Sequence, residues 1–118
     1  MIDQFEFTPM MSRCLRRVQL SRKKGFRLPY NAKSIAYPTR WANPFRPKVR
    51  SYEANLDAVQ QYEAFLKTHH DLVIEGRESL RGYYLACWCP LEIPCHGDTW
   101  IRVVNYTAEE LDDWLFSE

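Results

Sequence analysis

Residues 83–88, Tyr-Tyr-Leu-Ala-Cys-Trp, form a short apolar and aromatic run without a charge, and a run of that kind fits a buried strand. The next ten residues narrow the fold further. Pro90 and Pro94 end the strand and stiffen a loop, and Cys95-His96-Gly97-Asp98 leads into Thr99-Trp100-Ile101-Arg102-Val103-Val104, which reads as a helix. Strand tip, loop and helix start therefore converge. In open α/β sheets that is where ligands sit, and where backbone N–H groups favour an anion. Four side chains able to bind a metal or act as nucleophiles, Cys87, Cys89, Cys95 and His96, lie within ten residues there. Alternate strand residues share a face, so Cys87 and Cys89 can aim both sulfurs at one point.

The cluster admits three chemistries. Three thiolates and an imidazole, from Cys87, Cys89, Cys95 and His96, match the ligand set of a closed structural zinc site, although Cys-x-Cys and adjacent Cys-His depart from the usual two-knuckle spacing. Alternatively Cys95 is a nucleophile or redox centre, its thiolate favoured by His96 and a helix N-terminus, with Asp98 as a general base. In the third, Cys87 is a small core residue, Cys89 and Cys95 are reduced thiols in a tight loop, and His96 is a hydrogen-bonded or ligand-facing side chain. Asp98 is open to a role as a helix-start acid favoured by the dipole, or as a general base or ribose ligand.

A chain of 118 residues supports one modest core, and its 46% hydrophobic and 14% aromatic content is that of a folded globule. The expected organisation is an N-terminal arm at residues 1–12 and a single α/β domain over 13–118. A strand is predicted from Arg13 to Ser21, and a second at Ser34–Tyr37 ended by Pro38. Thr39 to Val49 is irregular. Ser51 caps a long helix to about His69, with a core stripe of Tyr52, Leu56, Val59, Tyr62, Phe65 and Leu66. His69-His70 sits at its end. A short helix over Asp71–Leu80 precedes the Tyr83 strand, and a last helix starts at Thr107 with Glu110 completing a capping box, burying Leu111, Trp114 and Leu115. The order predicts a small α/β sheet of three or four strands with flanking helices, Rossmann-like in part.

The net charge of +1 hides an asymmetry: twelve basic residues and no acid lie between Arg13 and Arg50, whereas Ser51–Glu118 holds four basic and thirteen acidic residues. The two halves either neutralise each other across the fold or leave a basic face. Phe26, Tyr30, Tyr37, Trp41 and Phe45 interleave with the charges, as in surfaces that bind nucleotides and single strands. Arg22, Lys24 and Arg40 are the candidate phosphate ligands, and Trp41 and Asn43 the candidate base or sugar contacts. Asn43-Pro44-Phe45 also has a structural role open to it, as an Asn turn anchored by Phe45. If that loop faces Cys95 and His96, the two make one pocket. The alternative is a zinc-stabilised, non-catalytic binding module acting on nucleic acid or a host protein. Met1–Phe7 lacks the basic start and apolar run of a signal, and no apolar stretch approaches 18 residues, so the expectation is a cytoplasmic chain with reduced cysteines, Cys14 simply buried.

Val18-Gln19-Leu20-Ser21-Arg22-Lys23-Lys24-Gly25-Phe26-Arg27-Leu28-Pro29, Tyr37-Pro38-Thr39-Arg40-Trp41-Ala42-Asn43-Pro44-Phe45, Leu85-Ala86-Cys87-Trp88-Cys89 and Pro94-Cys95-His96-Gly97-Asp98 together resemble a family of small phage and bacterial proteins classed as a domain of unknown function. The resemblance spans roughly residues 15 to 105. Phe26 stands where members carry Trp, Tyr37 where they carry Arg before Pro-Thr, Arg40 where they carry Lys, and Ala42 where they carry Gly. The resemblance implies a compact α/β domain, in the host-cell cytoplasm if phage-encoded, and supplies no activity.

Overall fold

The uncharged run becomes the middle of a sheet. In the computed structural model, which describes residues 16–117, the elements are β1 (Arg17–Gln19), β2 (Ala32–Ser34), α1 (Tyr52–Lys67), α2 (His70–Leu80), β3 (Tyr84–Cys87), α3 (His96–Asn105) and α4 (Ala108–Leu115). The expected arm at residues 1–12 and Cys14 lie outside the described residues. The strand order is β1-β3-β2, and β3 pairs in parallel with both neighbours. Leu85 stands between Arg17 and Lys33 in the ladder, and Ala86 between Val18 and Ser34. Leu85 and Ala86 are both fully buried although successive residues point to opposite faces. Both faces of the sheet's centre are therefore covered, as parallel sheets require, and a charge on β3 would have nowhere to go.

Among the described residues the outer strands are shorter than the sequence predicts, residues 13–15 of the first lying outside them. β1 ends where Leu20 N–H donates to the Cys87 carbonyl at 2.8 Å; Ser21 Oγ then accepts from Lys23 N–H at 3.0 Å, and Gly25, at φ +89°, completes the turn. The second strand lies two residues earlier than Ser34–Tyr37. Its last ladder bond runs from Ile35 N–H to the Ala86 carbonyl at 2.9 Å. Ser34 Oγ then captures Ala36 N–H at 3.2 Å and the Ala36 carbonyl captures Thr39 N–H at 2.9 Å, ahead of and across a cis Tyr37–Pro38 bond. Local turn bonds override the strand preference of Ile35 and Tyr37.

Ser51 caps α1, its Oγ accepting from Ala54 N–H at 3.2 Å. The buried face is rotated from the predicted stripe at its start: Tyr52 and Leu56 are exposed, and Asn55 and Ala58 are buried in their place. Val59, Tyr62 and Leu66 continue that face into the core. There the Trp41 carbonyl accepts from Tyr62 O–H at 2.9 Å and from Trp100 Nε1–H at 3.2 Å, and the Trp41 ring meets Trp100 edge-on with centroids 5.6 Å apart. Burial pushes the Tyr62 phenol pKa up, which keeps it the protonated donor. Through these bonds the irregular segment after β2 is tied to α1 and α3. At the C-terminus Thr107 and Glu110 form their capping box, but Leu111, Trp114 and Leu115 are only half-buried, since α4 lies against the outside of the core.

Gly76 of α2 makes room for Trp100. A Cβ at that position would fall 2.2 Å from ring atom Cζ3, well inside contact distance. Gly76→Ala should therefore cost about 2 kcal/mol despite the better helix propensity of Ala. Urea unfolding checks this, and equal or greater stability in the variant would show that α2 does not approach Trp100 so closely.

Candidate functional site

Because the strands are parallel, their carboxyl ends lie together, and the segments that leave them enclose one pocket of about 550 Å³. Arg22 reaches it from the segment after β1; Tyr37, Asn43, Arg46, Lys48 and Arg50 come from the segment after β2. Cys87, Trp88, Cys89, Cys95 and His96 form the wall contributed by β3, its loop and the start of α3, and Asn55 enters from α1. The pocket thus occupies the position at which open α/β sheets hold ligands.

The cysteines are the most ordered part of its chemistry. Cys87 ends β3, Cys89 comes next in the turn, and Cys95 is the N-cap of α3. Their three sulfurs lie within 4.8 Å of one another, with Cys87 and Cys89 Sγ 3.8 Å apart. All are free thiols. The Cys95 pKa is well below the ordinary thiol range: S–H donation from Cys87 and then Cys89 favours its thiolate, aided by Gly97 N–H at 3.4 Å and the positive charge of Arg17, against burial. Cys89 is driven the other way, by hydrogen bonding to Cys87 and Cys95 and by burial. The trio can hold a metal ion.

His96 does not join that group among the described residues. Its Nε2 lies 2.8 Å from the Ile35 carbonyl, an acceptor only, so this nitrogen carries a proton, and Nδ1 faces Cys95 Sγ at 3.6 Å. The ring is buried, edge-on to Tyr62 at 5.6 Å. Of the four predicted ligands the structure thus brings the three thiols together, while His96 is bound through Nε2 to the chain leaving β2.

Asp98 is placed as a cap. Its Oδ2 accepts from Cys95 N–H at 3.1 Å while its Oδ1 meets Arg17 Nε at 3.0 Å, so both oxygens are occupied, and Asp98 does not line the pocket. Arg17 itself, with a side chain only 7% exposed, also donates through Nη2 to the carbonyls of Leu91 and Ile93, each at 2.9 Å. Sequence patterning assigns Arg17 only to a strand, yet it pins the cysteine loop from below.

Asn43 Oδ1 accepts from Phe45 N–H at 2.8 Å and its Nδ2 donates to the Ala58 carbonyl at 3.1 Å, so it shapes its own turn, ties it to α1 and lines the pocket wall. Sequence patterning gives Asn55 no role at all. It is 4% exposed; its Nδ2 donates to the Pro94 carbonyl at 3.0 Å and approaches Cys89 Sγ at 3.7 Å, and its buried Oδ1 has no partner. The signal that could have found it is the 3–4 spacing of Asn55, Ala58, Val59, Tyr62 and Leu66, one polar residue on an otherwise apolar face.

Arg22, Arg46, Lys48 and Arg50 line the pocket, and no acid does. None of the four is ion-paired to a described residue. The Arg22 guanidinium lies over the Trp88 ring at 4.7 Å, that of Arg46 over Tyr37 at 4.8 Å, and Arg50 donates to the Trp88 carbonyl at 3.2 Å. The other predicted ligand residues fall elsewhere. Arg40 pairs with Glu75 beside a more open cleft of about 640 Å³ lined with His69 and His70, Trp41 is half-buried against the core, and Lys24 is exposed outside the pocket. His69 and His70 bind the Phe65 and Lys67 carbonyls at 2.8 and 2.9 Å.

This wall is the most motif-rich part of the chain, and it is where a family model matches. The model described as Domain of unknown function (DUF4326) aligns with residues 18–106, three quarters of the chain. The chain belongs to the DUF4326 family. Every pocket-lining residue falls inside the matched span, whereas Arg17 lies one position before it and α4 after it. Comparison of this DUF4326 chain with curated proteins and with solved structures gave no match. Among the described residues no helix is long and apolar enough to cross a membrane.

The lowered Cys95 pKa gives a pH dependence. A thiolate favoured in the folded state stabilises fully above the unfolded thiol pKa, near 8.5, and progressively less as pH falls toward the folded value. In metal-free protein, the stability margin of the wild type over Cys95→Ala should therefore widen from about pH 5 to about pH 8.5. Denaturant melts across that range test it; a margin independent of pH would mean that Cys95 folds as a neutral thiol.

Proposed function

We propose that this domain binds a phosphorylated ligand, a nucleotide or the phosphate of a nucleic acid, in the pocket at the carboxyl ends of its strands. The observation that carries this is the charge of the lining: four cations, no carboxylate, and the start of α3 in one recess. A volume of about 550 Å³ accommodates a nucleotide. Tyr37 and Trp88 bring aromatic faces to the same wall, the surfaces on which bases stack. Asn55 Oδ1 is an acceptor for a base or sugar hydrogen at the inner end. The basic run of the sequence thus divides, Arg17 and Arg40 pairing with acids and Arg22, Arg46, Lys48 and Arg50 serving the ligand.

One observation favours a second reading, that of a zinc-stabilised module without catalysis: the three sulfurs within 4.8 Å of one another. The two readings differ in what metal removal does. A zinc-dependent module unfolds on chelation, because metal binding supplies folding energy; a pocket that needs only its cations keeps its fold.

Titration calorimetry with nucleoside mono-, di- and triphosphates and a short single-stranded oligonucleotide tests the proposal. Arg46→Ala and Arg50→Ala should each weaken binding about tenfold or more, the effect of losing one charge-assisted hydrogen bond. Arg40→Ala, outside the pocket, should leave affinity unchanged. Absence of binding by every ligand, or an equal loss in Arg40→Ala, would sink it.

A further inference from the structure

Two thiolates held about 2.3 Å from a tetrahedral ion stand about 3.8 Å apart. Cys87 and Cys89 Sγ stand 3.8 Å apart, and Cys95 Sγ lies within 4.8 Å of both. Two of the sulfurs thus stand at the spacing of ligands of one ion before any ion is added, and the third lies close to both. Their surroundings match as well. Gly97 N–H points at Cys95 Sγ at 3.4 Å and Asn55 Nδ2 at Cys89 Sγ at 3.7 Å, the N–H donors that support metal-bound thiolates. Three thiolates around a divalent cation carry one net negative charge; Arg17 lies beneath the loop, its own charge shared with Asp98.

The fourth position decides what kind of site this is. A ligand of the same ion cannot lie more than about 4.6 Å from another, twice the metal–sulfur distance. Among the described residues no histidine or carboxylate joins the three sulfurs within 4.8 Å. His96, the nearest candidate, is held through Nε2 by the Ile35 carbonyl. All three cysteines meanwhile line the pocket. Structural zinc sites are closed by four protein ligands, whereas sites with three keep a place for an exchangeable one.

From this geometry we infer that Cys87, Cys89 and Cys95 form a three-thiolate site for a single thiophilic divalent ion, zinc or its analogues, with an exchangeable fourth position opening on the pocket. On binding, the thiols release their protons and a water or other small donor completes the tetrahedron. The metal then belongs to the pocket floor rather than to a staple beneath it. Nothing in this depends on the pocket's preference for phosphate.

Cobalt(II) titrated into metal-free wild-type protein is the test, read by thiolate charge-transfer and visible d–d bands. The expected result is one equivalent per chain with tetrahedral bands, and a shift of those bands on adding imidazole as an exogenous ligand. His96→Gln should retain the ion and the imidazole response, while Cys87→Ser and Cys89→Ser should lose the ion with helix content intact by circular dichroism. Because the stoichiometry and imidazole response are measured on the wild-type chain, they stand even if a cysteine variant fails to fold. No tetrahedral cobalt in the wild type would overturn the site. Bands indifferent to imidazole, together with loss of the ion in His96→Gln, would overturn the open position in favour of a closed four-ligand site. Failure of nucleotide binding in calorimetry leaves these outcomes unchanged, so the two proposals fail separately.

Discussion

The buried guanidinium of Arg17 holds together the parts on which the pocket depends. It sits on β1, reaches beneath the cysteine loop to two carbonyls, and pairs with the Asp98 that caps α3. An almost fully covered charge is costly unless paired; the carboxylate takes Nε and the loop carbonyls take Nη2, while Nη1 has no partner. Cys95 is fixed in turn, because Asp98 binds its backbone N–H while its sulfur accepts from Gly97. Gly97 has to lack a side chain: a Cβ there would lie 2.9 Å from Arg17 Cδ and 3.0 Å from Ile35 Cδ1. Strand, loop and helix start are locked by one side chain, and the cysteine spacing is a result of the lock.

The second constraint is the parallel sheet. With β3 between two parallel neighbours, three chain segments leave the same edge, and each supplies pocket residues. The longest of them, after β2, is ordered by the Trp41 carbonyl bound by Tyr62 and Trp100 and by the Asn43 amide bound to Ala58. That anchor leaves the basic stretch from Arg46 to Arg50 facing the cysteines across the recess. Core packing and site construction are therefore joined here, since α1 supplies both Tyr62, which binds the Trp41 carbonyl, and Ala58, whose carbonyl accepts from Asn43 two residues further on.

Much of the fold is legible in the sequence because it rests on local signals. Ser51, Thr107 with Glu110, and the prolines around the cysteine loop punctuate the chain through bonds to near neighbours, and the uncharged Tyr83–Trp88 run marks the one strand covered on both faces. Local signals fail where a non-local partner decides. Tyr52 and Leu56 fit a core stripe on period alone, but the pocket end of α1 turns Asn55 inward to the Pro94 carbonyl instead. Arg40 and Trp41 stand beside Asn43 in one motif, which suggests three ligands of one pocket; the chain turns between them, sending Arg40 to Glu75 and Trp41 against the core.

The sequence by itself determined the class of fold, the crowding of thiols at a strand-to-helix junction and the excess of cations in the first half, because composition, period and turn chemistry act within a few residues. It also determined membership of the DUF4326 family, whose model matches residues 18–106. Only the tertiary structure decided which cations face the recess, that Asn55 joins them, and that His96 turns to the Ile35 carbonyl rather than to the three sulfurs. Those choices are made by contacts across tens of residues, where burial of one charge or one ring outweighs any local preference.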